Sequence, residues 1–144
     1  MARRLLFRFK MKSANVHLAV IDDNVQMGNM LRDFLVSQGY KVTLFDSAKS
    51  ALREIRAQEA NSRPRQTSIS IVISDIAMPT MTGLDLLKIL RAERPDIPMI
   101  LITAFGSAGQ GAEAITLGAA EYLVKPFKLA ALERAIKYSA KVRR

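Results

Sequence analysis

The fold is indicated by one stretch of the chain, ISIVISDIAMPTMTGLDLLKILRAERPDIPMILITA at residues 69–104. In it an amphipathic run lies between two apolar, β-branched runs. The runs 69–73 and 99–103 show no alternation of apolar and polar residues, which is typical of strands covered on both faces of a parallel sheet. Between them, the leucines of 83–93 recur at helical spacing, and Pro95 lies just beyond the run. The stretch therefore predicts a strand–helix–strand unit with a parallel strand pair.

The same alternation extends in both directions along the chain. Further strands are predicted at 16–21, 42–45 and 122–124, and further helices at 25–38, 47–60, 107–118 and 129–142. The first helix is expected to end before Gly39, and Asp46 or Ser47 is expected to be the N-cap of the second. The polar segment 60–68 is expected to be a surface loop. The pattern predicts an α/β fold: a single-domain, doubly wound (βα)5 arrangement around a five-stranded parallel sheet.

The charge of the chain is concentrated in its two tails. The 144 residues carry a formal net charge of +9, with no cysteine and one histidine. Residues 1–12 and 137–144 hold nine of the 22 basic residues and no acidic one, so residues 13–136 hold 13 of each sign. We therefore expect no direct nucleic-acid binding by the folded part, although the total charge alone would suggest it.

Without cysteine, disulfide scaffolds and cysteine-ligated metal sites are excluded. No apolar run is long enough for a signal peptide or a membrane span, and a cytoplasmic location is expected.

Functional side chains of an open parallel sheet collect at the carboxyl ends of its strands. The first strand ends at Asp22 and Asp23, the third at Asp75, the fourth at Thr103 and the fifth at Lys125. Three neighbouring carboxylates repel one another unless a cation lies between them, and Mg²⁺ prefers oxygen ligands of this kind. A carboxylate nucleophile beside a metal, a hydroxyl and an ammonium group suits phosphoryl transfer onto an aspartate. The plain alternative is that these residues are turn, cap and strand residues without such a role.

Four motifs at strand ends carry a resemblance to a known family. They are VIDDN at 20–24, ISDIAMPTMTG at 73–83, LITAFGS at 101–107 and EYLVKPF at 121–127. In this order they resemble the receiver domains of two-component response regulators, the CheY-like family, and most closely the receivers of NtrC-like or FixJ-like transcriptional regulators. The resemblance covers about 15–141 and implies a flavodoxin-like sheet with strand order 2-1-3-4-5. Residues 1–14 are then a basic N-terminal extension, and 142–144 a basic C-terminal end.

The resemblance implies a phosphoacceptor and a metal site. Asp75 corresponds to the phosphoacceptor. Asp23 corresponds to a direct ligand of Mg²⁺ (or Mn²⁺), Asp22 assists through the water shell of the metal, and the backbone carbonyl of Ala77 supplies a further ligand.

The resemblance also implies a switch. Thr103 corresponds to the residue that contacts the phosphoryl group and moves on activation. Tyr122 corresponds to the aromatic residue that turns inward as Thr103 moves. Lys125 corresponds to the lysine that pairs with the phosphoryl group, and its peptide bond to Pro126 is expected to be cis.

The function implied is a phosphorylation-activated signalling switch that promotes only its own phosphorylation and dephosphorylation and is not otherwise an enzyme. The donor would be a sensor histidine kinase or a histidine phosphotransfer protein. The face of the fourth helix, fifth strand and fifth helix would bind a downstream effector protein or output domain, or a second copy in a phosphorylation-dependent homodimer. One alternative is the receiver fragment of a longer DNA-binding transcriptional regulator.

Two other functions fit the fold class less well. An aspartate-nucleophile phosphatase would need an acid two residues after its nucleophile or a cap domain, whereas Ala77 occupies that position. A flavin-binding protein would need a phosphate-binding loop after the first strand, whereas Asp22 and Asp23 there repel phosphate.

Overall fold

The computed structural model describes residues 15–61, 68–104 and 108–142, and these form a parallel five-stranded sheet between two layers of helices. The elements follow in strict alternation: β1 (His17–Ile21), α1 (Val25–Ser37), β2 (Lys41–Phe45), α2 (Ala48–Ala60), β3 (Ile71–Asp75), α3 (Gly83–Glu93), β4 (Met99–Thr103), α4 (Ala108–Thr116), β5 (Glu121–Val124) and α5 (Leu129–Val142). The strand order is β2-β1-β3-β4-β5. The predicted fold class and strand order are confirmed.

Side-chain alternation along the strands divides the core into two layers. Residues such as Leu18, Val20 and Ile73 pack with α1 and α5, whereas Ala19, Val72 and Leu101 pack with α2, α3 and α4. The central strands β1, β3 and β4 are buried throughout their length. The absence of polar alternation, from which a covered parallel sheet was predicted, has this physical cause.

Local chemistry sets the ends of the helices. The Asn24 and Ser47 side chains cap α1 and α2 by accepting the N–H groups of Met27 and Ser50, and Ser47 is thus the cap of α2 rather than Asp46. Thr82 and Asp85 form a reciprocal capping box at α3. Gly39, which follows α1, has a φ of 96°, in the left-handed region that glycine reaches without strain.

One predicted strand is shifted in the structure, and several predicted segments lie outside the described residues. β3 covers Ile71–Asp75 rather than 69–73, because Ser74 and Asp75 pair with Leu101 and Ile102 of β4. Residues 1–14, the predicted basic extension, lie outside the described residues, as do 62–67 of the predicted loop, 105–107 before α4, and 143–144. None of the helices within the described ranges has the length and apolar character needed to cross a bilayer.

Candidate phosphoacceptor site

The carboxyl edge of the sheet brings together acidic residues from two adjacent strands. Asp22 and Asp23 follow β1, and Asp75 ends β3, which pairs with β1 in parallel. One carboxylate oxygen of each lies within 4.8 Å of the others. Asp22 and Asp75 are buried, with 3% and 8% of their surface exposed, whereas Asp23 is exposed. The predicted acidic cluster is thus formed by residues 53 positions apart in the sequence.

The buried carboxylate of Asp22 is electrostatically unfavourable. Its burial raises its pKa above the usual value, and the neighbouring charges of Asp75 and Asp23 act in the same direction. Asp22 Oδ1 accepts the N–H of Asn24 at 2.9 Å, and this hydrogen bond, together with the charge of Lys125, opposes the rise. A position that needed only apolar packing would hold an apolar side chain, so the cluster has the character of a cation site.

Lys125 is the cationic partner of the Asp75 carboxylate. Its Nζ lies 3.0 Å from Asp75 Oδ2, across 50 positions of sequence. The Lys125 N–H donates to the carbonyl of Thr103 at 2.8 Å, which fixes the lysine at the end of β5. The peptide bond between Lys125 and Pro126 is cis. Asp75 Oδ1 accepts the N–H of Ala77 at 3.3 Å, so one carboxylate oxygen faces the ammonium group and the other is held by the following loop.

The backbone around Asp75 is held from three directions. The Ile76 N–H donates to the carbonyl of Ile102 at 2.9 Å, and the Gly83 N–H donates to the carbonyl of Ile76 at 2.9 Å. The hydroxyl of Ser74 donates to the carbonyl of Asp75 at 2.9 Å. A Cβ at Gly83 would lie 2.5 Å from the carbonyl oxygen of Asp75, so only glycine lets the start of α3 come this close to Asp75.

Thr103 and Tyr122 lie at different distances from the carboxyl edge of the sheet. Thr103 ends β4 with 1% of its surface exposed, and its hydroxyl donates to the carbonyl of Ala104 at 3.3 Å. In the β4–β5 register Thr103 lies opposite Val124, and Tyr122 lies opposite Leu101. Tyr122 is therefore set back from the edge, where its half-buried ring packs against α4.

A groove of about 470 Å³ adjoins the site on the side of α1 and α5. Its lining is apolar apart from Lys125, and comprises Met27, Met30, Ala104, Pro126, Phe127 and Leu129.

The residues present fit a divalent cation of the Mg²⁺ type. The donor set consists of carboxylate oxygens, with Asp23 exposed so that water can share the coordination. Asp22, Asp23 and Asp75 would hold the ion, and the carbonyl of Ala77 belongs to the loop that turns back over Asp75.

Sequence reasoning did not identify every residue that shapes the region. It overlooked the hydroxyl of Ser74 and the close approach of Gly111 to the ring of Tyr122. A glycine inside a helical pattern is at most a weak signal of a packing role, and it does not distinguish Gly111 from Gly109, which has no heavy atom within 4 Å of its Cβ position.

Comparison with known families matches residues 18–137 to the response regulator receiver domain. Among curated proteins, the chain is 39% identical over 113 residues to the response regulator protein FleR of Pseudomonas aeruginosa, covering 78% of this chain and 22% of FleR. It is 36% identical over 112 residues to the transcriptional regulatory protein FixJ of Bradyrhizobium diazoefficiens, covering 78% of this chain and 50% of FixJ. The chain thus spans half or less of these relatives.

Solved structures agree with the sequence comparison. The crystal structure of FixJ-N aligns with a TM-score of 0.78 and 25% identity, over 90% of this chain and 96% of that one. A response regulator receiver domain protein from Clostridium thermocellum aligns with a TM-score of 0.76 and 28% identity, over 88% of this chain and 94% of that one.

Proposed function

This chain belongs to the response regulator receiver domain family, and from that premise we propose that Asp75 is its phosphoacceptor. One observation carries the proposal: the Asp75 carboxylate lies 3.0 Å from the Lys125 ammonium and within 4.8 Å of the Asp22 and Asp23 oxygens. A nucleophile, a cation and an acidic cluster therefore meet at one point of the sheet edge.

The proposed reaction transfers a phosphoryl group from a phosphohistidine of a sensor histidine kinase or a histidine phosphotransfer protein. A carboxylate oxygen of Asp75 attacks phosphorus; the P–N bond of the donor breaks as the P–O bond of the acyl phosphate forms, and the imidazole leaves with a proton. Lys125 pairs with the added phosphoryl oxygens, and the hydroxyl of Thr103 donates to one of them. A bound Mg²⁺ would supply charge neutralisation on those oxygens. Apart from this self-modification and its hydrolysis, we propose no enzymatic activity.

The response to phosphorylation is a shift between two arrangements. Contacts of the phosphoryl group with Thr103 and Lys125 favour the active arrangement by their differential free energy. Tyr122, on the strand beside Thr103, follows this movement. The face of α4, β5 and α5 then changes its affinity for an effector protein or output domain, or for a second copy. We propose a cytoplasmic location, with which the absence of cysteine is compatible.

A second candidate is the receiver part of a longer transcriptional regulator. It is favoured by the relatives, several of which are named transcriptional regulatory proteins and are longer than this chain. In that case DNA binding belongs to another part of the protein, because the charge of residues 13–136 is balanced. Sequencing the messenger RNA across both ends of this coding segment tests it.

The direct test of the acceptor is labelling with acetyl phosphate in the presence of Mg²⁺. The wild type is expected to gain one phosphoryl group by intact mass spectrometry, and Asp75→Asn none. Asp33→Asn, an exposed aspartate on α1 that pairs with Arg32, is the matched control and should label like the wild type. Equal labelling of Asp75→Asn would contradict the assignment.

A further inference from the structure

The two glycines of α4 meet very different surroundings. A Cβ built on Gly109 would have no heavy atom within 4 Å. A Cβ on Gly111 would lie 2.4 Å from Cε2 and 2.5 Å from Cδ2 of the Tyr122 ring. Real Cβ atoms do not come this close to another heavy atom, so the ring lies in space that any other residue at 111 would fill.

The packing around Gly111 limits how the structure can accommodate a side chain at this position. Gly111 is buried on the inward side of α4, together with Ala114, which has none of its surface exposed. Tyr122 packs against the core layer that includes Ala114 and Leu101. An added methyl group therefore has to displace the ring, or to lift α4 away from β5.

The contact is connected to the phosphoacceptor site through β4. Leu101 lies opposite Tyr122 in the register, and Thr103, two residues further on β4, points to the same side of the sheet as Leu101. The Tyr122 ring and the side chain of Thr103 thus lie on the same side of the sheet, two residues apart in the β4–β5 register.

We propose that Gly111 is a positioning residue. Because it has no side chain, it leaves the space, or resting place, in which the Tyr122 ring lies, and it thereby sets the balance between the two arrangements of the switch. The inference rests on the proposed function in its second half only, because the closeness of Gly111 to the Tyr122 ring is a property of the structure itself. A larger residue at 111 removes the resting place, and the ring then occupies another position even without phosphorylation.

Gly111→Ala and Gly109→Ala form a matched pair. Both replace glycine by alanine in the same helix, which favours the helix by a similar amount. Gly109→Ala is expected to leave Tm unchanged or to raise it. Gly111→Ala is expected to lower Tm by at least about 3 °C, since a core clash outweighs the helix gain. Equal Tm values for the two variants would overturn the proposal.

The ring provides the second test. In a Tyr122→Leu background the added methyl group has lost its main obstacle, so Gly111→Ala should lose most of its effect on Tm there. If Gly111→Ala alone does not fold, a folded Gly111→Ala/Tyr122→Leu variant supports the proposal, and an unfolded one overturns it.

The third test reads the switch itself. With ¹³C-labelled tyrosine, the Tyr122 ring signals of the wild type are recorded by NMR before and after acetyl phosphate and Mg²⁺. In unphosphorylated Gly111→Ala they should already be shifted toward the phosphorylated positions, whereas in Gly109→Ala they should match the wild type. Unshifted signals in Gly111→Ala would overturn the proposal. Failure of the proposed function would be seen separately, as equal labelling of wild type and Asp75→Asn.

Discussion

Asp22 shows how a single residue can serve a site at the expense of the fold. Its carboxylate is buried beside two others, and both burial and those charges raise its pKa. The folded protein therefore disfavours the ionised form of Asp22. Such a residue lowers stability until a cation neutralises the cluster.

Asp22→Asn is expected to raise the free energy of unfolding in EDTA, because the neutral amide replaces a carboxylate whose pKa is raised by burial and by the charges of Asp75 and Asp23. The expected gain is about 1 kcal/mol, the usual size of a stabilising single substitution. The asparagine oxygen can still accept the Asn24 N–H that Asp22 Oδ1 accepts at 2.9 Å, so the local turn is kept. The stabilisation that Mg²⁺ gives the wild type should shrink in the variant. Urea titrations of both proteins, with Mg²⁺ and with EDTA, measure the two effects.

The matched control is Asp46→Asn, an exposed aspartate just after β2. It should change neither the stability in EDTA nor the effect of Mg²⁺. A wild-type protein whose unfolding is indifferent to Mg²⁺ would contradict the cation site.

Among the elements, the connection between β3 and α3, which follows Asp75, contains a residue with a strained backbone. Thr80 lies in this connection with a φ of 71°. The left-handed region is unfavourable for a β-branched residue, and Asn tolerates it much better. The strain is confined to the loop that follows the proposed acceptor.

Thr80→Asn is therefore expected to stabilise the protein by about 1 kcal/mol, by relieving the left-handed backbone. Chemical denaturation measures this change, and the slope of the transition should be unaffected. Thr116→Asn, an exposed exchange in the helical backbone of α4, is the control and should not stabilise. A destabilised Thr80→Asn would contradict the strain.

The elements also show which parts of the structure a sequence can reveal. The bounds of α3, β4 and α5 were predicted to the residue, because apolar periodicity and flanking proline or glycine are local signals. The apolar run 69–73 placed β3 two residues too early in the chain, because the pairing of Ser74 and Asp75 with β4 is a tertiary property of polar residues.

The candidate site follows the same division. Parallel strands bring their carboxyl ends to one edge, so the convergence of Asp22, Asp75 and Lys125 was predictable from strand ends alone. The contact of Gly111 with Tyr122 was not, because it depends on how closely α4 approaches β5. The roles of the site residues stay predictions until labelling is done.

At the scale of the whole molecule, exposed apolar residues on α4 and α5 suggest association. Ile115, Tyr138 and Val142 are 44%, 54% and 51% exposed. A shallow pocket on the same side is lined by residues of β5 and α5 that include Glu121, Leu123 and Arg134. Apolar side chains beside both signs of charge suit a partner surface with a polar rim.

If the effector is a second copy, acetyl phosphate with Mg²⁺ should increase the mass measured by sedimentation from monomer toward dimer. Tyr138→Glu should suppress this increase while labelling of Asp75 continues. Val36→Glu changes a similarly exposed apolar position on α1 (53%). As the control, it should leave the increase in mass unchanged. A phosphorylated wild type that stays monomeric would contradict self-association and leave a different protein as the partner.

The position of the proposed chemistry at one edge of the sheet has a consequence for how such a protein diversifies. The residues proposed to carry phosphoryl transfer follow the strand ends, whereas Ile115 and Tyr138 lie on the exposed surfaces of α4 and α5. Selection for a new interaction can therefore change helix surfaces without changing the acceptor, and selection on the lifetime of the phosphoryl group can change the edge without changing partners. The two properties can be inherited, and engineered, independently.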